Sequence, residues 1–143
     1  MFSNSSKYAI KAVLYLSLHS SESRKVMVKD ISNPINVPQA YIAKLLQELV
    51  KEGVVSSTRG PKGGFFMNEH NNNEKVIRIL DIIDGEKKLT NCMLSLESCN
   101  EDKPCPLHAI LGPSRQNILK VLNENSIVDL ALSVRKGTAF LPL

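Results

Sequence analysis

Between residues 37 and 67 the chain reads VPQAYIAKLLQELVKEGVVSSTRGPKGGFFM. Ile42, Leu45, Leu46, Leu49 and Val50 fall at i, i+3, i+4, i+7 and i+8, which predicts an amphipathic helix with its apolar stripe on a core. Gln39, Ala40, Ala43, Lys44, Gln47 and Lys51 make the opposite face small, polar or basic. Pro38 suits the first helical turn, and Gly53 suits the left-handed position just past the end. Residues 54–58 are then β-branched or small and predict a short strand. Residues 59–64, RGPKGG, predict a turn, and residues 65–67 the returning strand.

The flanking patterns build on this unit. Asn4, Ser5 or Ser6 can cap a first helix running to about His19, with Ala9, Val13 and Leu16 among its apolar positions. After a polar loop over 20–24, Val26 and Val28 predict a short strand ahead of a helix starting near Lys29, which Asn33-Pro34 should keep brief. Asn36 can take a left-handed turn position. Supporting helix, short helix, turn, recognition helix and basic-tipped hairpin thus follow in the order of a winged helix-turn-helix, whose helix enters a major groove while the wing reaches a minor groove or phosphates. Taken alone, RGPKGG is better read as a merely solvated hairpin turn, and it is the helix before it that favours a wing.

Residues 68–73 read as a polar linker, and Val76, Ile79, Leu80 and Ile83 predict a helix over 75–84 that stops at Gly85. A polar loop over 86–106 carries the cysteines. Leu107, Ile110, Leu111, Ser114, Ile118, Val121 and Leu122 then mark one face of a long helical region, interrupted or bent at Gly112-Pro113. Such a stripe beside a small DNA-binding unit suits dimerisation, the alternative being that it folds back on its own domain. Ser126 to Asp129 resembles a capping signal for a last short helix, with a frayed tail beyond. The expected fold class is mainly α with a small β-hairpin wing. Residues 1–67 form the DNA-binding domain, and residues 68–143 the linker helix, cysteine loop and dimerisation helix.

Composition sharpens the picture only through its distribution. The chain has 143 residues, 43% hydrophobic, enough for a real core, and a net charge of +4. Residues 1–67 hold nine Lys/Arg against four Asp/Glu, net +5, and the remainder nine against ten, net −1. The basic half is the half with the motif, as a DNA footprint requires. No apolar run approaches a membrane span. Residues 8–18 could pass for a signal-peptide core, but Lys11 interrupts them and a buried helix is the better reading. No nucleophile–base pair or phosphate loop emerges, which argues against an enzyme.

Cys92, Cys99, Cys105 and His108 carry the chemistry, in the pattern C-x6-C-x5-C-x2-H. An odd number of cysteines confined to one segment argues against a secreted disulfide framework and for a reducing, cytoplasmic setting with a local use for thiols. Thiolates suit iron–sulfur clusters and zinc, and a histidine can replace one thiolate on a cluster iron. The close C-x2–4-C pairs usual in structural zinc sites are missing. Spacing leaves cluster, zinc and plain redox thiols all open.

These residues together resemble the Rrf-two family of bacterial winged-helix transcription regulators, most of all its cluster-binding IscR-like and NsrR-like members. The resemblance rests on Lys7-Tyr8-Ala9, Asp30-Ile31-Ser32, Tyr41 with Leu45, residues 53–57, Arg59-Gly60-Pro61 with Gly63-Gly64, Ile83-Asp84 and the cysteine array, and it spans residues 1 to 132. It implies a homodimer on a pseudo-palindromic duplex operator and an iron–sulfur cluster, favouring 2Fe–2S over 4Fe–4S, whose state alters DNA binding. It also implies Cys92, Cys99 and Cys105 as thiolate ligands and His108 as the fourth, as in the IscR-like subgroup. NsrR-like members recruit a carboxylate from the first helix, where this chain has Ser5, Ser6 and Lys7. Glu101 and Asp102 are alternative fourth ligands.

For DNA, Arg59 is placed at the wing tip to enter a narrow minor groove, where negative potential is enhanced. Gln39, Ala40, Ala43 and Lys44 are placed to meet base edges, and Tyr41 and Lys62 to contact phosphates. The IscR-like pattern has Glu-Gln where this chain has Ala43-Lys44, which removes an acceptor for cytosine N4 and adds a cation, so operator preference should differ. The alternatives are the same regulator using zinc or thiol/disulfide chemistry, or an electron-transfer or protein-interaction module that does not bind DNA.

Overall fold

A computed structural model describes residues 1–94 and 99–143. The elements run α1 (Asn4–His19), α2 (Val28–Ile35), α3 (Gln39–Lys51), β1 (Ser56–Thr58), β2 (Gly64–Phe66), α4 (Glu69–Asn73), α5 (Val76–Asp84), α6 (His108–Glu124) and α7 (Ile127–Arg135). This is the expected mainly helical chain with a two-stranded antiparallel wing.

Helix α1 is the centre of the core, packing against α2, α3, α5 and α7. Ala9, Ala12, Val13 and Leu16 are fully buried against Ile31, Ile42, Leu46, Leu49 and Ile127. The cap of α1 is Ser3, one residue ahead of the expected positions, because its side chain accepts the Ser6 N–H at 3.0 Å.

Helix α3 forms as its stripe predicts, with Pro38 at the cap, one position ahead of the first turn. Its stop is a Schellman arrangement: Gly53, at φ 79°, donates to Val50 O at 3.1 Å, and Val54 N–H reaches back to Leu49 O at 2.9 Å. Val54 and Val55 are therefore drawn into the core instead of opening a strand, and pairing starts only at Ser56, opposite Phe66. The return strand correspondingly begins at Gly64 and ends at Phe66, not at Met67.

Val26 does not extend into a strand with Val28. It makes one bridge to the outer edge of β2, exchanging both backbone hydrogen bonds with Phe65 at 2.9 and 2.8 Å, and Val28 already begins α2. Gly64 passes so close to Val26 that a Cβ there would sit 2.8 Å from Val26 O, and its φ of 149° is itself open mainly to glycine.

Two prolines fall inside helices: α2 is brief, as expected, but runs one residue past Pro34, and Pro113 does not interrupt α6. Pro34 lies inside α2, next to Ile35, and Asn36 closes the helix at φ 59°, ψ 52°. Burying Ile31 and Ile35, worth about 1.5–3 kcal/mol each, offsets the roughly 3 kcal/mol of an internal proline. Pro113 lies inside α6, which continues through it from His108 to Glu124. The acceptor it leaves without an intrahelical donor belongs to Ala109, an exposed residue in the first turn, where solvent can serve.

The expected linker over 68–73 is also structured, as α4. Asn68 Oδ1 accepts from Asn71 N–H at 2.8 Å and Asn71 Oδ1 accepts from Asn68 N–H at 2.9 Å, a reciprocal cap. Asn71 is buried, and its amide also donates to Gly53 O at 3.0 Å and accepts from Ser56 Oγ at 2.9 Å, fixing α4 to the end of α3 and the start of the wing. The capping box of α7, Ser126 with Asp129, forms as predicted. Beyond Arg135 there is no regular element, though Leu141 packs back against the core.

Every residue of α6 keeps part of its surface exposed. One side, with Leu119 and Leu122, packs on a small second cluster of Ile77, Leu80 and Leu89, while Ile110 remains 69% and Val121 47% exposed. Of the loop expected over 86–106, residues 95–98 lie outside the described residues. Among the described residues, no helix is long and apolar enough to cross a membrane.

Candidate functional site

Two candidate sites draw on separate stretches of the sequence. The first is the surface made by the start of α3 and the wing. Gln39, Ala40 and Lys44 are exposed and Ala43 is half-buried, because Ile42, Leu45, Leu46 and Leu49 take the core side of the same helix. No side chain caps α3 and no acidic residue occupies its first turn, which leaves the positive end of the helix uncompensated. Arg59 and Lys62 are exposed in the turn between β1 and β2, which Gly63 closes by donating to Gly60 O at 2.9 Å. A Cβ at Gly63 would fall within 3 Å of Thr58 and Arg59 backbone atoms, so the turn that carries the two cations is tight.

Tyr41 is placed differently from a purely solvent-facing phosphate contact. Its hydroxyl is 2.7 Å from Ser5 Oγ, and its ring meets Tyr8 edge-on at 5.9 Å between centroids. It docks α3 onto α1, with the hydroxyl at the rim.

The second site is a cleft at the start of α6. Cys92, Cys99, Cys105 and His108 all line it, together with Leu111, Gly112 and Arg115. Cys99 Sγ lies 3.0 Å from His108 Nδ1, and Cys92 Sγ 3.7 Å from Cys105 Sγ. His108 is brought there because its N–H bonds Cys105 O at 2.9 Å as α6 begins, which puts ring and thiol on one side of the turn. All three cysteines are half-buried and no disulfide joins them. Among the described residues, no group of three or more His, Cys, Asp or Glu side chains closes on a point that could hold a metal ion. The donor set itself, three soft thiols and an imidazole on one cleft, has the chemistry of a ligand set for an iron–sulfur cluster or zinc. Glu101 and Asp102 are exposed and do not line the cleft. Their turn is organised by Asn100 Oδ1, which accepts from the N–H groups of Asp102 and Lys103.

Arg115 is a residue that the sequence pattern did not single out. Its Nη1 donates to Asn91 O at 3.0 Å, one residue before Cys92. The available signal was its position seven residues after His108, on the same face of the helix.

The elements between the two sites are in contact. Helix α6 packs on α5, and α5 on both α1 and α3. Arg78 of α5 donates to Glu52 O, at the end of α3, at 3.4 Å. Asp84, the last residue of α5, accepts hydrogen bonds from the Ser3 hydroxyl and, at 3.3 Å, from the Ser3 N–H. Burial alone would raise the Asp84 pKa. The Ser3 bonds, with Ser6 and Lys88 adding to them, outweigh burial and leave it lowered. Asp81, one turn earlier, is pushed up by burial and by Glu86, against a smaller opposing pull from Arg78.

Comparison with known proteins fits this arrangement. The family described as "Rrf2: Iron-dependent Transcriptional regulator" matches residues 2–132. The chain belongs to the Rrf2 family. A relative named HTH-type transcriptional regulator IscR, from Pectobacterium atrosepticum, is 31% identical over 124 residues, which cover 87% of this chain and 74% of the relative. Among solved structures, CymR (YrzC), the global cysteine regulator of B. subtilis, superposes with a TM-score of 0.76 at 21% identity, covering 92% of this chain and 95% of that one. The structure of T. potens IscR gives 0.72 at 21% identity, covering 97% and 91%. As an Rrf2 protein the chain is a DNA-binding transcription regulator and not an enzyme.

Proposed function

We propose that this Rrf2 protein is a homodimeric regulator whose cysteine cleft holds an iron–sulfur cluster, and that the state of the cleft sets its affinity for a pseudo-palindromic operator. The observation that carries this reading is the convergence of Cys92, Cys99, Cys105 and His108 on one cleft at the start of α6. Three thiolates with His108 as the fourth ligand suit a 2Fe–2S cluster better than a 4Fe–4S one, since imidazole ligation is the known variation on two-iron centres. When bound, such a cluster supplies a centre whose charge changes with redox state.

The residues of the chain would do the rest. Exposed Ile110 and Val121 on α6 offer an apolar face to the same helix of a second copy. Pairing through α6 would set the spacing of two recognition helices. Gln39, Ala40, Ala43 and Lys44 would then meet base edges, Arg59 the minor groove, and Lys62 and the rim of Tyr41 the phosphates. A shift of α6 would reach α3 through α5 and the Arg78–Glu52 contact. Such a switch requires the two states to differ in contact energy, not merely to be connected.

Anaerobic purification followed by visible absorption, iron and sulfide assays tests the cofactor directly. A brown protein with iron and sulfide is expected. A colourless protein that still binds duplex DNA would favour a second reading, thiol-based sensing. That reading is supported by the 3.7 Å approach of Cys92 Sγ to Cys105 Sγ, a short movement from a disulfide.

A further inference from the structure

Arg115 is half-buried in the thiol cleft, yet none of the ion pairs among the described residues uses it. A guanidinium brings five N–H donors and a permanent charge. Its Nη1 donates to Asn91 O, at 3.0 Å. That carbonyl belongs to the peptide leading into Cys92, so Arg115 ties the first thiol of the array to α6, the helix that carries His108 at its start. A backbone carbonyl needs no cation, and a neutral donor would serve as well. A positive charge is useful there only if the cleft also carries negative charge, as it does once thiolates ligate a cluster.

We propose that Arg115 is the positioning residue of the cysteine cleft, holding the Cys92 segment against α6 before any cluster binds and balancing the negative charge of a thiolate-ligated cluster afterwards. The first role is geometric. Residues 89–92 approach α6 through Leu89, buried beside Leu119 and Leu122, and through the Arg115 bond, which is the polar tie of Asn91 to that helix. The second role is electrostatic, since cluster potential follows net charge and hydrogen bonding around the site. It rests on the cluster reading above.

The test compares the full-length parent with Arg115→Ala, Arg115→Gln and Arg115→Lys. In cluster-free protein, amide hydrogen exchange over residues 89–94 is expected to speed up severalfold in Arg115→Ala, with exchange in α1 and α3 unchanged as the check on folding. In reconstituted protein, the midpoint potential is expected to move to more negative values in Arg115→Ala and Arg115→Gln, and to return toward the parent in Arg115→Lys. A purely structural tether would not produce that charge-dependent pattern. Parent-like exchange in Arg115→Ala, or one potential shared by all four proteins, would overturn the proposal while leaving the cluster reading intact. A parent that takes up no iron and sulfide would overturn the cluster reading, and the charge-balancing role with it.

Discussion

Cys99 Sγ and His108 Nδ1 stand 3.0 Å apart, although nine positions separate them in the chain. The imidazole therefore faces the thiols, and it does so from the first residue of α6. A ligand at that place is attached directly to the helix proposed to join two copies.

His108→Ala is expected to lower cluster retention by at least about tenfold, the lower end of what is lost with even an outer-shell partner of a metal site. Iron and sulfide content after desalting measures it, alongside far-ultraviolet circular dichroism to show that the helices persist. Parent-level retention would move the fourth ligand elsewhere.

On the DNA side, Arg59→Ala should weaken duplex binding by about 1–3 kcal/mol, and Lys62→Ala should reduce the slope of log affinity against log salt by about 1, as for one lost phosphate contact. Titrations at several salt concentrations separate the two. An Arg59→Ala variant binding like the parent would take the wing tip out of the interface.

Replacing Asn71, which belongs to neither candidate site, should destabilise the fold. It is buried, and its side chain serves Asn68 N–H, Ser56 Oγ and Gly53 O at once. Asn71→Ala leaves those groups short of partners, a loss of about 1–3 kcal/mol per unsatisfied buried group. Denaturant unfolding would show the drop, and an unchanged midpoint would mean that water replaces the amide.

That residue also shows where sequence reasoning stops. The apolar stripe of α3, the Gly53 stop, the left-handed Asn36 and the Ser126 capping box were legible because each is local, set by spacing or by one residue's backbone preference. Asn68 to Asn73 reads as a loop because asparagine is a poor helix former, and the helix there depends on the Asn68–Asn71 cap together with tertiary partners at Gly53 and Ser56. Pro34 reads as a break because its cost is local and the burial of Ile31 and Ile35 is not. In the cleft, the four donors stood out by residue type, whereas Arg115 looked like any surface cation until its bond to Asn91 O placed it among them.

Two neighbouring carboxylates should give opposite pH signatures. Asp84 titrates below its ordinary value of 3.8, so its contribution is present above the unfolded-state pKa and is lost as pH falls through the lower folded value. Asp84→Asn should therefore destabilise at neutral pH, with the gap to the parent closing under acid. Asp81 titrates above 3.8, so its charge opposes folding at neutral pH and the penalty lifts as pH falls. Asp81→Asn should be neutral or stabilising near pH 7. Unfolding midpoints measured from pH 3 to pH 7 check both signs.

The central claim is that the cysteine cleft controls the DNA-binding face. Its most direct test is a pair of anaerobic binding isotherms, cluster-loaded against cluster-free protein, at one salt concentration on the same duplex selected from a random pool. Coupling of about 1–3 kcal/mol, or roughly 5- to 150-fold in affinity, is the range for two linked sites and is the result expected here. Equal affinities of the two forms across all selected duplexes would contradict the account and leave the cleft unconnected to DNA recognition.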